Sequence, residues 1–445
     1  MARIIFLAFP RDFGYSGSME QQNPTLKKTK RYTLRTFVQE AFLTSNFFIQ
    51  NDLLTYASAC AFSFLFSLLP VVIMCAVILI RVLKASPSVL TNLYQFDTGL
   101  AQILDVSHLV NSVLDFQGGI VFSIIVGIFI FWMARRLFNS TMKGIGCIFH
   151  KELVVRPLVS QLIVVAGEVL LVVVIALTIF VFSSGRTLLE TSFLQTLIPP
   201  VILEQSNRLV QFLPAILMFG FVTICFKGAT RTKPRWKHCI LAAAACTLTF
   251  FVFSFFSNIL RNTTTYNMIY GVMSSIIILL LKVFVFFILF LFFAQALFVH
   301  QFFDQLLLGE LYLLPSREET RLHLVLRRLL FIDPDYFILR MAAATDYGQG
   351  SMIYKEGDQG EWVYFLAQGQ VQITGKHHIQ QCHPGDFFGE LPCILGRNRE
   401  ESALAETQVQ VIRIEAEDFI SMLEKNPEAN KKALSQVSHY FSSHK

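Results

Sequence analysis

Two ionisable residues deep inside long apolar runs are the first candidates for chemistry. Glu168 lies ten residues into a run that starts at Leu158, and Lys282 lies ten residues into one that starts at Val272. At about 1.5 Å of helix rise per residue, each lies about 15 Å deep, mid-depth in a hydrocarbon core about 30 Å thick. Facing each other there, the two charges would lower each other's desolvation cost and could form a substrate or proton site. A structural pair, or one group hydrated in a crevice, is the alternative.

The elements that would position this pair are six apolar runs, each near or above the roughly 17 residues that a helix needs to cross a bilayer. The chain is 54% hydrophobic and only 15% charged, which excludes an ordinary soluble globular protein. The composition predicts a membrane all-α six-helix bundle. The runs are Leu53 to Ile80, Gly118 to Ala134, Leu158 to Phe182, Leu209 to Phe226, Cys239 to Leu260 and Val272 to Val299.

Positive charge alternates between the loops. Five Lys or Arg residues fall in each of 27–35, 135–156 and 227–237, whereas the intervening loops hold two, two and one. This positive-inside pattern predicts a multi-pass protein of the inner (plasma) membrane with both termini in the cytoplasm. The net charge of +6 is then explained by topology and by anionic headgroups of the lipid bilayer, so no nucleic-acid partner is expected.

One segment before the first run, and two clusters of small residues within the first and fifth runs, carry further predictions. Residues 34–50 have apolar side chains at near-helical spacing and few charges, which predicts an interfacial helix that leads into the first span. Small residues cluster at 57–63 (ASACAFS) and 242–246 (AAAAC), where close helix packing is expected.

The character of the chain changes after His300. Residues 317–332 predict a charged amphipathic helix that stops at Asp333 and Pro334. Short β-like runs follow (SMIY, WVYFL, VQIT, DFFGEL and VQVIRI) with glycine-containing turns between them, which favours a small antiparallel barrel or jelly roll. Two helices, about Ala416 to Glu424 and Pro427 to Ser442, are expected to close the domain.

The membrane half resembles the YihY/BrkB family of six-span inner-membrane proteins over about residues 35–305. The resemblance rests on stretches such as NDLLTYASACAFSFLFSLLP (51–70), WMARRLFNSTMKGI (132–145) and FLPAILMFGFVTICF (212–226). Lys282 departs from it, because the family usually has an aromatic residue there. Proteins of this family have carried a ribonuclease label. Nuclease chemistry needs a metal or an acid-base cluster, and Glu152 is the lone carboxylate between the second and third spans. We therefore expect no enzyme, no catalytic residue and no metal site.

The tail resembles a cyclic-nucleotide-binding domain. YKEGDQGEWVYFLAQGQVQI (354–373) is similar to that family's opening strands, and HPGDFFGELPCILGRNREESALAET (383–407) to its phosphate-binding cassette. The resemblance implies that Gly389 and Glu390 form the turn, that Glu390 takes the ribose hydroxyl, and that Arg399 neutralises the cyclic phosphate.

Two substitutions in the cassette count against a bound nucleotide. Pro392 stands where a small residue normally offers its N–H, and proline has none. Glu400, beside Arg399, adds a carboxylate that would repel a phosphate and could take the arginine for itself. No cofactor is therefore expected, and the alternative is a domain that kept its barrel as a docking module for a protein partner.

Together these features predict four segments. They are a cytoplasmic segment (1–34), the membrane domain (35–305), a linker helix (306–334) and the cyclic-nucleotide-binding-like domain (335–445). The function expected is that of a transporter-like membrane protein regulated by, or assembled through, its tail. A scaffold without transport activity is the alternative, and a ribonuclease is a more distant one.

Overall fold

The computed structural model describes residues 34–77, 139–149, 215–216, 218–228, 234–261, 272–313, 331, 344–375 and 379–443. Four sequence predictions lie wholly or almost wholly outside these ranges: the N-terminal segment 1–34, the second and third spans, Glu168, and the amphipathic helix at 317–332.

The described part of the membrane half contains four long helices, α1 (Leu34–Gln50), α2 (Leu53–Val77), α3 (Trp236–Arg261) and α4 (Val272–Gln301). Shorter helical segments at 139–148 and 218–228 accompany them, and the second of these lies mostly within the predicted fourth span. Two segments of the long helices, Trp236–Ser257 in α3 and Ile277–Gln301 in α4, are long and apolar enough to cross a membrane by length and composition. They correspond to the fifth and sixth predicted spans. The complete six-span arrangement stays a prediction.

The outer face of α3 is apolar. Leu241, Leu248 and Phe255 recur every seven residues, so they share one face of the helix, and all three are exposed, Leu241 to 72%. A contiguous stripe of large exposed apolar side chains is unfavourable in water and suits a surface covered by lipid or by another protein.

The inner faces of the same helices carry the small residues that the sequence singles out. Ala57 and Cys60 of α2, and Ala243 and Cys246 of α3, are fully buried. Small side chains let helix backbones approach closely, and α4 packs against α1, α2 and α3 at the centre of this group. The expectation of close helix packing at these two clusters is confirmed.

Helix α1 buries a face of mixed polarity. Thr36 and Gln39 are fully buried there together with Leu43 and Phe47, whereas the large apolar side chains of Leu34, Phe37 and Ile49 are exposed. Exposed apolar side chains of this size are unfavourable in water and suit contact with lipid or with another protein. This arrangement agrees with the interfacial helix predicted for residues 34–50.

The tail is a sandwich of two four-stranded antiparallel sheets, in the strand orders β1-β8-β3-β6 and β2-β7-β4-β5. The predicted jelly roll is confirmed, although β1, β5 and β7 are short strands that its sequence pattern does not reveal. The strands are β1 (Ala344–Tyr347), β2 (Met352–Tyr354), β3 (Trp362–Gln368), β4 (Val371–Thr374), β5 (Ile379–Cys382), β6 (Phe387–Phe388), β7 (Ser402–Ala405) and β8 (Val409–Glu415).

Helix α5 (Phe303–Leu313) connects the two halves. It follows α4 after Phe302 alone, and it packs against α7 (Ala416–Lys425) and α8 (Pro427–Ser443) at the end of the tail. A shorter helix, α6 (Glu390–Leu395), lies between β6 and β7. The border predicted between residues 305 and 306 falls inside α5, because the apolar sequence of α5 continues that of α4.

The contact between α5 and the tail is aromatic. Tyr312 is 1% exposed, and its ring meets those of Phe387 and Phe419 edge-on, with 5.4 Å between centroids in both pairs. A polar contact adds to it, since Gln50 at the end of α1 donates to Glu428 of α8 at 2.9 Å. The tail is therefore docked on α5 through buried aromatic rings and joined to α1 by an exposed hydrogen bond.

Candidate ligand site and its link to the membrane half

A glycine forms the turn of the cassette. Gly389 joins β6 to α6 with φ of 74°, in the left-handed region that glycine adopts without steric cost. A Cβ at this position would lie 2.3 Å from Nη1 of Arg399. The turn therefore requires glycine both for its backbone conformation and for the arginine packed against it.

Arg399 is the centre of the site and is only 3% exposed. Its Nη1 donates to the carbonyl oxygen of Gly389 at 2.8 Å, and its Nη2 donates to that of Trp362. Its buried Nε has no hydrogen-bond partner, and none of the described carboxylates forms a salt bridge with it. The guanidinium is thus held by two carbonyl oxygens and by no described carboxylate, so an anion that entered the site could form a charge-assisted hydrogen bond with it.

Aromatic faces hold the guanidinium in place. Its Cζ lies 4.2 Å from the ring centroid of Tyr354 and 5.5 Å from that of Tyr364. Tyr364 stacks in turn on Phe388, with 5.3 Å between centroids. Burial raises the pKa of both tyrosines, so both rings are neutral at physiological pH and stabilise the cation through their faces.

Glu390, the first residue of α6, is connected to α5 through Gln436 of α8. Its Oε1 accepts from Nε2 of Gln436 in α8 at 3.2 Å, and Oε1 of Gln436 accepts from the hydroxyl of Tyr312 in α5. Burial raises the pKa of the Glu390 carboxyl, against the opposing effect of nearby Lys432. The residue expected to bind a ribose hydroxyl therefore has a hydrogen-bond partner within the chain.

Lys432 reinforces this connection. Its Nζ donates to the carbonyl oxygen of Tyr312 at 2.6 Å and lies 4.3 Å from the centroid of the Tyr312 ring. Burial lowers the pKa of Lys432, and the charge of Glu390 acts in the opposite direction. The last turn of α5 is thus bound to α8 through both its backbone and its side chain.

The two substitutions flagged by sequence have different fates. Glu400 does not pair with Arg399, contrary to the sequence expectation. Its carboxylate accepts a hydrogen bond from the hydroxyl of Tyr440 instead, because α8 lies across the cassette. Pro392 lies in α6 and packs against Gly360, since a Cβ added to Gly360 would lie 2.9 Å from the Cβ of Pro392. Proline therefore packs closely on the neighbouring turn at the position where an N–H donor was expected to be missing.

Of the candidate residues, Gly389 and Glu390 lie in the turn between β6 and α6, and the side chain of Arg399 packs against that turn; their contact with a ligand stays a prediction. Lys282 is 9% exposed and lies within α4, whereas Glu168 lies outside the described residues. Their pairing stays a prediction. Within the described ranges, no group of three or more His, Cys, Asp or Glu residues is arranged to hold a metal ion.

Several residues of the site are not found by sequence reasoning. Tyr354 and Tyr364 belong to strands that the sequence identifies, but nothing in their spacing indicates that both face Arg399. Gln436 and Tyr312 are 124 residues apart, and only the docking of α5 on α8 brings them together. A polar residue at every fourth position of α8 is the one available signal, and it is common in exposed helices.

Comparisons with known proteins place the tail among cyclic-nucleotide-binding domains. The family model of the cyclic nucleotide-binding domain matches residues 344–426. A cyclic nucleotide-gated potassium channel of Rhizobium etli is 30% identical over 79 residues, which are 18% of this chain and 22% of the channel. A cAMP-dependent protein kinase regulatory subunit of Aspergillus fumigatus is 34% identical over 83 residues, 18% of this chain and 20% of that protein. The chain thus spans about a fifth of the length of each of these two relatives.

Solved structures align with part of this chain. The Thermus thermophilus catabolite activator protein aligns with 22% identity and a TM-score of 0.21, covering 23% of this chain and 50% of that one. The sensor domain of the regulator DNR from Pseudomonas aeruginosa aligns with 18% identity and a TM-score of 0.21, covering 22% and 68%.

The membrane half has its own match. The family model described as virulence factor BrkB covers residues 45–302, more than half of the chain. This range begins near the end of α1 and includes α2, α3 and α4. The chain therefore belongs to the BrkB family, and carries a cyclic nucleotide-binding domain at its C-terminal side.

Proposed function

We propose that the chain is a six-span, transporter-like protein of the inner membrane whose tail regulates it from the cytoplasm. The ligand class that the cassette suits best is a cyclic nucleotide, held weakly. One observation carries the proposal: α5 follows the last apolar helix after a single residue and buries Tyr312 against the tail. A shift of the tail would therefore act directly on the end of that helix.

Polar side chains inside the bundle support transport over a scaffold. Asn51 donates to Gln295 at 3.4 Å, and Nε2 of the fully buried Gln295 has no hydrogen-bond partner. The hydroxyls of Ser63 and Ser140 lie 3.3 Å apart in the same bundle. Hydrogen bonds of this kind also join helices in an anchor, so the support for transport comes from Nε2 of Gln295, because a buried amide donor without a partner is costly unless water or a solute reaches it.

Proteoliposomes containing the full chain test this proposal. We expect flux of at least one member of a panel of small ions and solutes above that of empty liposomes. Gly309→Ala should change this flux, because a Cβ there would lie 2.6 Å from Nδ2 of the buried Asn426 and would disturb the docking of α5. Gly348→Ala is the matched control, since nothing lies within 4 Å of its Cβ.

The scaffold alternative makes the opposite prediction. A chain that is folded in the vesicles but passes no member of the panel, with or without Gly309→Ala, would count against transport. A chain that passes a solute at a rate unaffected by Gly309→Ala would count against regulation by the docked tail.

A further inference from the structure

One face of α8 contacts both α5 and the cassette. Lys432, Gln436 and Tyr440 are spaced four residues apart, so their side chains share one side of the helix. Lys432 bonds the carbonyl of Tyr312, Gln436 bonds both Tyr312 and Glu390, and Tyr440 bonds Glu400. We call these three residues the α8 stripe.

Two residues of the α8 stripe donate hydrogen bonds to carboxylates of the cassette. Gln436 and Tyr440 each donate to a cassette carboxylate one helical turn apart, which lays α8 across the cassette between Glu390 and Glu400. A nucleotide that used Glu390 for its ribose would have to share this carboxylate with Gln436, which donates to its Oε1. Its phosphate at Arg399 would also add negative charge near Glu400, the acceptor of Tyr440.

We propose that a ligand in the cassette and the docking of α5 oppose each other through the α8 stripe. Displacing Gln436 from Glu390 frees the side chain that accepts from Tyr312, and moving α8 also strains the bond from Lys432. By linkage, the ligand weakens the docking of α5 by the same factor as the docking of α5 weakens ligand binding, so a substitution that loosens α5 without touching the ligand should tighten ligand binding. This inference rests on the proposed sensing of a cyclic nucleotide by the tail, and it adds the direction of the coupling.

The first test measures hydrogen exchange of residues 303–313 in the full chain, in lipid nanodiscs and without added nucleotide. It asks whether the contact between Glu390 and the α8 stripe stabilises the docking of α5. Glu390→Ala removes the cassette acceptor and should speed exchange in α5 several-fold, up to about tenfold, the effect of one lost hydrogen bond. Glu406→Ala is the matched control, because this carboxylate accepts from Gln381 on the sheet and does not contact the α8 stripe. Equal exchange in the wild type and in Glu390→Ala would overturn the inference whatever the ligand.

Cyclic AMP at millimolar concentration is the probe for the second test. We expect it to speed exchange in α5 of the wild type. Tyr312→Phe keeps the ring but removes the hydroxyl, and should tighten cyclic AMP binding by about 3- to 10-fold. Saturable binding with unchanged exchange in α5 would overturn the coupling and leave nucleotide sensing intact. Absence of saturable binding in both the wild type and Gln436→Ala would overturn nucleotide sensing itself, and with it the ligand-driven release of α5.

Discussion

The guanidinium of Arg399 lies 2.8 Å from the carbonyl oxygen of Gly389, the residue whose missing side chain makes room for it. The arginine expected to face a ligand phosphate is therefore also part of the turn that shapes the cassette. Changes at either residue should affect the stability of the tail as well as ligand binding.

Gly389→Ala should destabilise the tail by about 1 to 3 kcal/mol, from the cost of a left-handed alanine and from the clash with Arg399. Thermal unfolding of the full chain, followed by circular dichroism, measures it. Gly385→Ala is the control, because Gly385 has φ of 102° but open space where its Cβ would be. Equal losses at the two positions would mean that contact with Arg399 adds nothing.

Nucleotide affinity should be low in the wild-type chain. We expect no saturable binding of cyclic AMP or cyclic GMP below about 100 μM, since one lost phosphate donor and one nearby carboxylate together cost roughly 2 to 6 kcal/mol. Pro392→Ala combined with Glu400→Ala should improve the affinity by tenfold or more. Calorimetry decides the matter, and a micromolar dissociation constant for the wild type would show that Glu390 and Arg399 suffice.

Membrane topology should follow the alternating charge. Reporter fusions at residues 20, 150, 232 and 445 should read cytoplasmic, and fusions at residues 100, 195 and 264 should read external. The reporters are alkaline phosphatase, active outside, and green fluorescent protein, fluorescent inside. An external reading at 232 would rule out the six-span arrangement, because it would place the loop before α3 on the wrong side.

Glu168 and Lys282 should behave as a coupled pair. Each of Glu168→Gln and Lys282→Met should lower the yield of folded protein more than the double substitution does, since a lone buried charge is costly and removing both can be nearly neutral. Size-exclusion profiles of the four chains in detergent form the mutant cycle. Additive losses would show that the two side chains do not interact.

Local pattern alone was sufficient for several features of this protein. The apolar runs predict α3 and α4 because length and composition decide whether a helix can cross a membrane. The small residues at 57–63 and 242–246 predict helix contacts for a similarly local reason. In the tail, the glycine-punctuated β-runs and the two closing helices indicate the jelly roll, and the cassette residues 389, 390 and 399 follow from their resemblance to a known motif.

The tertiary structure decided which partners these residues have. The resemblance assigns Arg399 to a phosphate, which stays a prediction, and the sequence suggests that Glu400 could take Arg399 for itself. In the folded chain Arg399 bonds two carbonyl oxygens, and Glu400 bonds Tyr440 instead. Such pairings join residues far apart in sequence, and they depend on where α8 lies. The docking of α5 through Tyr312 could not be predicted from the local sequence for the same reason. The sequence of an apolar helix of eleven residues shows that the helix will be buried, but not which surface it will pack against.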